Sequence, residues 1–331
     1  MSKLKNKIIF LTGGTGSFGS AFVPMTLKKL KPKKLIIYSR DESKQWDMRN
    51  LYSKNKNIEF IIGDVRDYET LKKNMRGVDY VVHAAATKIV PTAETNPFEC
   101  VKTNINGSMN VINASLENNV KSVIALSTDK ACNPANLYGA TKLAADKLFV
   151  SANTFTKEKM ANFSIVRYGN VIGSRGSVIP FFKEKATRGK IPITSIEMTR
   201  FIISLKECVE FVWQSFEQMV GGEIFVKKIP SIEIIEIANA ITEKKNNYDI
   251  IGIRPGEKLH EQMISIEDAP FTYEFNDHFR ILPSIMNNPT YYKINKKKKV
   301  RNNFYYISNE NSKWIRSVDL RNWLKKYPNY F

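Results

Sequence analysis

In the stretch "STDKACNPANLYGATK", Ser127 to Lys142, a tyrosine stands four residues before a lysine, and an aspartate-lysine pair follows a threonine. Residues i and i+4 of a helix share one face, so Tyr138 and Lys142 are expected side by side. A neighbouring ammonium favours a phenolate, so Lys142 is expected to lower the pKa of Tyr138. The phenolate then takes a proton from a substrate hydroxyl. The hydroxyl of Thr128 is placed to bind the same oxygen. Asp129 and Lys130, taken without the tyrosine motif, read as a plain salt bridge.

These residues need a frame. Six short apolar runs, "KIIFLT", "KKLIIYS", "IEFIIGD", "DYVVHAA", "SVIALST" and "FSIVRYG", alternate with amphipathic stretches such as Asp67–Met75, Pro97–Asn118 and Leu137–Asn153. Nearly continuous apolar strands between helices predict an α/β fold, with a parallel sheet covered on both faces. The rhythm breaks after Gly169. Residues 1–169 read as a dinucleotide-binding domain of the doubly wound, Rossmann type. Residues 170–331 read as a smaller substrate-binding region, with some segments packing back on the first domain.

The first strand runs into "TGGTGSFG". Its glycines permit a tight turn and close approach of a pyrophosphate to the start of a helix. Thr12, Gly13, Thr15, Gly16, Ser17, Phe18 and Gly19 are therefore candidate cofactor ligands. A plain glycine-rich turn is the bland alternative, but it does not require a strand before and a helix after. The second strand ends in "YSRDESK", where Arg40 and Lys44 suit a ribose 2′-phosphate and favour NADP over NAD. Asp41 either holds the ribose one step late or, the better fit, caps the next helix. Asp64 and Val65 suit the adenine edge, and Ala84, Ala85 and Ala86 leave room for the dinucleotide backbone. His83 reads as a packed strand-end residue. The three histidines have no partner spacing, so no metal is expected.

Composition narrows the classes. The net charge of +19 raises nucleic-acid binding, but no recognition motif accompanies it. The dense run "KINKKKK", Lys293–Lys299, reads as a solvated loop. No apolar run is long enough to cross a bilayer, so no membrane insertion is expected. Three scattered cysteines suit a reducing cytoplasm. Cys132, close to Lys130, raises the idea of a redox switch; a small packed side chain is the simpler reading.

The chain resembles the extended short-chain dehydrogenase/reductases, and within them the inverting UDP-N-acetylglucosamine 4,6-dehydratases of pseudaminic acid synthesis. The resemblance rests on "TGGTGSFG", "YSRDESKQ", "GDVRD", "HAAATK", "STDKACNPANLYGATK", "RYGNVIGSRGSVIPFF", "MTRF" and "RPGEKLHE". Retaining relatives carry an Asp-Glu pair where this chain has Asp129-Lys130. The resemblance implies that Lys130 is the base at carbon 5 of the sugar and that Asp129 assists departure of the 6-hydroxyl. Such a lysine must be partly neutral, and burial together with nearby cations, Lys142 among them, is expected to make it so. The resemblance also implies substrate contacts from Lys88, Asn170, Arg200, Arg254 and Glu257, and a homo-oligomer, dimer or hexamer. For Arg254 and Glu257 a solvent ion pair is the bland alternative. The rival functions are a UDP-hexose 4-epimerase, which has no need of Asp129-Lys130, and a catalytically silent dinucleotide-binding regulator.

Overall fold

The computed structural model describes residues 2–155, 161–242, 247–284, 291, 294 and 297–326. The six apolar runs form β1 (Ile8–Thr12), β2 (Lys34–Ser39), β3 (Ile58–Ile62), β4 (Tyr80–His83), β5 (Ser122–Thr128) and β6 (Asn162–Tyr168). They pair in the order β3-β2-β1-β4-β5-β6, all parallel. Helices cover both faces, which is why Phe10 and Leu11 of β1 and Val81 and Val82 of β4 have no exposure at all.

The sheet does not stop at β6. The strand Ile224–Lys227 pairs parallel to it, and His278–Ile281, Thr272–Glu274 and Lys298–Lys299 add antiparallel strands beyond. The lysine run thus contains the edge strand, where charge guards an open edge, rather than a loop. Lys293 and Lys296 lie outside the described residues. The helix Leu205–Gln218, which precedes the added strands, starts at a Ser204/Glu207 capping box. Its Trp213 donates to Thr26 Oγ1 at 3.2 Å, tying it to the helix Ser17–Lys29. A second, smaller core gathers Ile179, Phe182, Ile191, Ile202, Ile237 and Leu320.

Two helices differ from expectation in an informative way. The helix expected over Asp67–Met75 runs over Tyr68–Asn74, with Asp67 as its cap accepting from the Thr70 N–H at 3.1 Å. The stretch Pro97–Asn118 is interrupted by a π-turn at Lys102–Asn106. There Asn104 accepts from the Thr87 N–H at 2.8 Å and donates to Thr141 at 3.0 Å. An amide that bonds outward from both ends in this way fixes the loop after β4 against the helix Leu137–Ala152.

Candidate active site

Strand order reverses between β1 and β4, and a crevice opens at the carboxyl ends of strands around such a point. A cavity of about 510 Å³ lies there. The loop after β1 forms one wall. Gly13 has φ +65°, and a Cβ on it would stand 2.8 Å from the Ala85 backbone. A Cβ on Gly19 would meet the Gly14 carbonyl oxygen at 1.8 Å, so helix and loop touch backbone to backbone. The helix Ser17–Lys29 begins at Gly16 with no side chain capping it, which leaves its first-turn N–H groups for an anion. Glycines that a side chain would block, beside an uncapped helix start, fit a dinucleotide pyrophosphate.

Thr15, Gly16, Ser17, Phe18, Arg40, Lys44, Asp64, Val65, Ala84, Ala85 and Ala86 all line this cavity with Gly13. Thr12 and Gly19, also expected as cofactor ligands, do not line it. Thr12 Oγ1 bonds His83 Nδ1 at 2.8 Å and accepts from the N–H groups of Ala84 and Ala85, each at 3.2 Å. His83 is thus packed, and burial pushes its pKa down to about 3. Asp41 caps the helix Glu42–Leu51, accepting from the Lys44 N–H at 3.0 Å, and also pairs with the Lys44 ammonium. Asp64 is gripped by Arg66, with Arg40 at 3.9 Å.

The residues expected to carry the chemistry come to the same cavity, all but Asp129 among its lining. Asn136 caps the helix Leu137–Ala152, accepting from the Gly139 N–H at 2.8 Å. A Cβ on Gly139 would stand 2.3 Å from the Lys130 carbonyl oxygen, so this glycine lets the helix start lie against the Asp129–Ala131 turn. Thr128, Lys130, Tyr138 and Lys142 line the cavity together, with Asn170 and Lys88. Asp129 is fully buried behind them, accepting from Thr128 Oγ1 at 2.9 Å.

The electrostatics depart from the sequence expectation twice. Burial pushes the Tyr138 phenol up to about 12, and the cation opposing it is Lys130, helped by the Thr128 hydroxyl. Lys142 instead donates to the Leu126 carbonyl at 2.7 Å, and burial lowers its own pKa. Lys130 is flanked by two carboxylates, Asp129 Oδ1 at 3.1 Å and Glu261 Oε1 at 3.0 Å, with the Arg200 cation acting against its charge. Burial disfavours its charge, but the two acids outweigh burial and hold the ammonium above the ordinary amine range. The salt bridge of the plain reading is present, with a second acid added. Burial raises the Asp129 carboxyl, and its Oδ2 has no hydrogen-bond partner.

Three expected substrate ligands do not line the cavity. Arg200 is 7% exposed, and its guanidinium donates to the carbonyls of Thr199 and Leu259 at 2.7 and 3.1 Å. Arg254 and Glu257 pair with each other at 2.6 Å. Burial pushes the Cys132 thiol up to about 12, so it is a packed, poorly reactive group. Two residues escaped the sequence reading although both sit in stretches quoted for the resemblance. Glu261 is one. Arg175 is the other, donating from Nη2 to the Thr15 carbonyl at 2.9 Å and from its N–H to Ser17 Oγ at 3.0 Å. Nothing in their spacing marks them, because the segments that carry them reach the site only through the fold.

Among the described residues no cluster of His, Cys, Asp and Glu could hold a metal, and no helix is long and apolar enough to cross a membrane.

Residues 9–283 match the family described as polysaccharide biosynthesis protein. The chain is 53% identical over 322 residues to the UDP-N-acetylglucosamine 4,6-dehydratase (inverting) of Campylobacter jejuni subsp. jejuni serotype O:23/36 (strain 81-176), covering 95% of this chain and 96% of that one. It is 44% identical over 283 residues to the UDP-glucose 4-epimerase of Rickettsia akari (strain Hartford), covering 83% of each. Among solved structures, Pen from Bacillus thuringiensis matches with a TM-score of 0.89 at 34% identity, over 98% of this chain and 99% of that one.

Proposed function

Since the chain belongs to the polysaccharide biosynthesis protein family, we propose that it is a hydro-lyase acting on UDP-N-acetylglucosamine. It removes water across carbons 5 and 6 and inverts carbon 5, giving UDP-2-acetamido-2,6-dideoxy-β-L-arabino-hexos-4-ulose for pseudaminic acid or a related surface glycan. The observation that carries this reading is the Asp129–Lys130 pair at the cavity, 3.1 Å apart, which chemistry confined to carbon 4 does not need.

A nicotinamide dinucleotide, NADP on this reading, supplies reversible hydride acceptance when bound. The glycine loop would cradle its pyrophosphate, Arg40 and Lys44 would meet the 2′-phosphate, and Tyr138 and Lys142 would serve its reactive end. Once ionised, a form that the Lys130 charge and the Thr128 hydroxyl favour against burial, Tyr138 Oη takes the proton of the 4-hydroxyl, with Thr128 Oγ1 binding the same oxygen. A carbonyl at carbon 4 then acidifies the proton on carbon 5. One proton of the Lys130 ammonium passes to Asp129 Oδ1, leaving an amine and a carboxylic acid. The amine removes the carbon 5 proton and the acid protonates the departing 6-oxygen. Water leaves, and both side chains are returned to their charged forms. The hydride taken from carbon 4 would then be returned to carbon 6, and a proton would be added to carbon 5 on the face opposite the one it left, which completes the inversion. Burial of Asp129, which favours its neutral form, supports this internal transfer.

Asn170 Oδ1, 3.4 Å from Lys130 Nζ, and Lys88 are the residues nearest a bound sugar diphosphate on this account. Arg254 and Glu257 reach the diphosphate and uridine ribose by giving up their mutual pair, and residues 170–331 serve as the substrate region. Three buried free cysteines agree with a cytoplasmic setting. Exposed Phe98 and Met109 agree with a homo-oligomer.

Turnover of UDP-N-acetylglucosamine in deuterated water tests the proposal, with NMR and mass spectrometry of the sugar. Loss of water with deuterium at carbon 5 and the L-arabino configuration supports it. Loss of water with configuration retained sinks the role of Lys130 in inversion. Change at carbon 4 alone supports the second reading, a UDP-hexose 4-epimerase, which the similarity to the Rickettsia akari protein favours.

A further inference from the structure

Glu261 takes no part in the steps above, yet it is among the most constrained acids in the molecule. It is 2% exposed, and its Oε2 has no hydrogen-bond partner. Its backbone is clamped on both sides by Ser308: the Glu261 N–H donates to Ser308 Oγ at 2.9 Å, and the Ser308 N–H donates to the Glu261 carbonyl at 2.8 Å. Ser308 Oγ in turn bonds Thr199 Oγ1 at 2.6 Å. The carboxylate is thereby held 3.0 Å from Lys130 Nζ. A buried acid costs stability unless a charge meets it, so a fold that holds one here without a full set of partners has a use for it.

We propose that Glu261 is a positioning residue that keeps Lys130 an ammonium between turnovers and aims it along the line between Asp129 and the sugar. The inference rests on the dehydratase reading of Lys130, but the charge state it assigns can be measured without turnover. The groups facing Lys130 are Asp129 on its own turn, Glu261 before the strand Gln262–Ile264, Arg200 from the strand Thr199–Ile203 and Tyr138 from the helix Leu137–Ala152. Of these, two acids favour the ammonium and Arg200 opposes it. Arg200 Nε lies 3.7 Å from the same Glu261 oxygen, so Glu261 also shields Lys130 from that guanidinium. Held as an ammonium, Lys130 has one proton for Asp129 at the start of each cycle.

The test is competitive labelling of Lys130 with a small acylating reagent through the cavity, in the full-length protein with NADP bound. The labelled peptide is quantified by mass spectrometry along an alkaline pH series, for wild type, Glu261→Gln and Glu261→Asp. The wild-type lysine should titrate above exposed lysines. Glu261→Gln should bring the titration down by about one to three units, the usual effect of losing one adjacent opposite charge, and Glu261→Asp should restore most of it. In parallel, the pH profile of kcat should move in the same direction with KM changed less than kcat. A wild-type Lys130 that titrates with the exposed lysines overturns the proposal even if the glutamine variant does not fold. So does a folded glutamine variant with the wild-type titration. If the labelling behaves as expected but no water is lost from the sugar, the positioning role stands and the dehydratase reading falls.

Discussion

Lys142 Nζ donates to the Leu126 carbonyl at 2.7 Å, so the lysine four residues after Tyr138 is tied to the end of β5 rather than to the phenol. The cation that eases ionisation of Tyr138 is Lys130. Removing a cation raises a phenol's pKa. Lys130→Met should therefore move the limb of carbon 4 oxidation governed by Tyr138 toward higher pH, by about one unit. Single-turnover formation of the 4-keto sugar at several pH values measures it. A limb that moves in Lys142→Met and stays put in Lys130→Met would mean that the ammonium beside Tyr138 has been misassigned.

Gly139 sets the distance between the helix that carries Tyr138 and the turn that carries Lys130. A methyl group there would lie 2.3 Å from the Lys130 carbonyl oxygen, and backbone has to move to admit it. A displacement of about 1 Å at a catalytic site costs on the order of 100-fold in rate. Gly139→Ala should lower kcat by about that factor while leaving dinucleotide affinity, read by fluorescence titration, within a few-fold of wild type.

Arg40 directly follows β2 and Lys44 stands in the first turn of the next helix, both lining the cavity. Charge-assisted contacts from such cations contribute about 1.5–3 kcal/mol each. The double variant Arg40→Ala/Lys44→Ala should weaken NADP⁺ by more than about tenfold and leave NAD⁺ nearly unchanged. Calorimetric titration with the two dinucleotides measures the ratio. Equal loss for both would mean that these cations do not read the 2′-phosphate, and that Asp41, which pairs with Lys44, leaves the pocket open to NAD⁺.

His83 makes stability depend on acid. An unfolded imidazole takes up a proton around its ordinary value of 6.5, while burial keeps folded His83 neutral down to about 3. Protons therefore bind the unfolded chain preferentially in that window. Stability falls as pH drops through it, by about 1.4 kcal/mol per pH unit for one such group. His278, held down to about 4 chiefly by burial, adds to the slope. Thermal melts should show Tm declining below pH 6.5, and His83→Asn should make the decline shallower, whatever its effect on Tm at neutral pH.

Much of the frame was legible from local pattern. The six parallel strands, the glycine loop and the i, i+4 pair each depend on neighbours in the chain. The run "SVIALST" became β5, Ser122–Thr128, residue for residue. Asp41 as a helix cap followed from the same kind of local rule. The lysine run misled because its neighbours along the chain were lysines, whereas its neighbours in space were the strand Thr272–Glu274. An edge strand is defined by pairing, and pairing partners are not visible in a single run.

By itself, then, the sequence determined the doubly wound sheet, the dinucleotide crevice and the gathering of Thr128, Asp129, Lys130, Tyr138 and Lys142, since all are consequences of period and short spacing. The charge of that site was decided only by the tertiary structure. Glu261, Arg200 and Arg175 come from segments that leave the first domain's rhythm and fold back against it. Electrostatic energy depends on distance through space and on exclusion of water, not on position along the chain. Hence a lysine read beside cations stands between two acids.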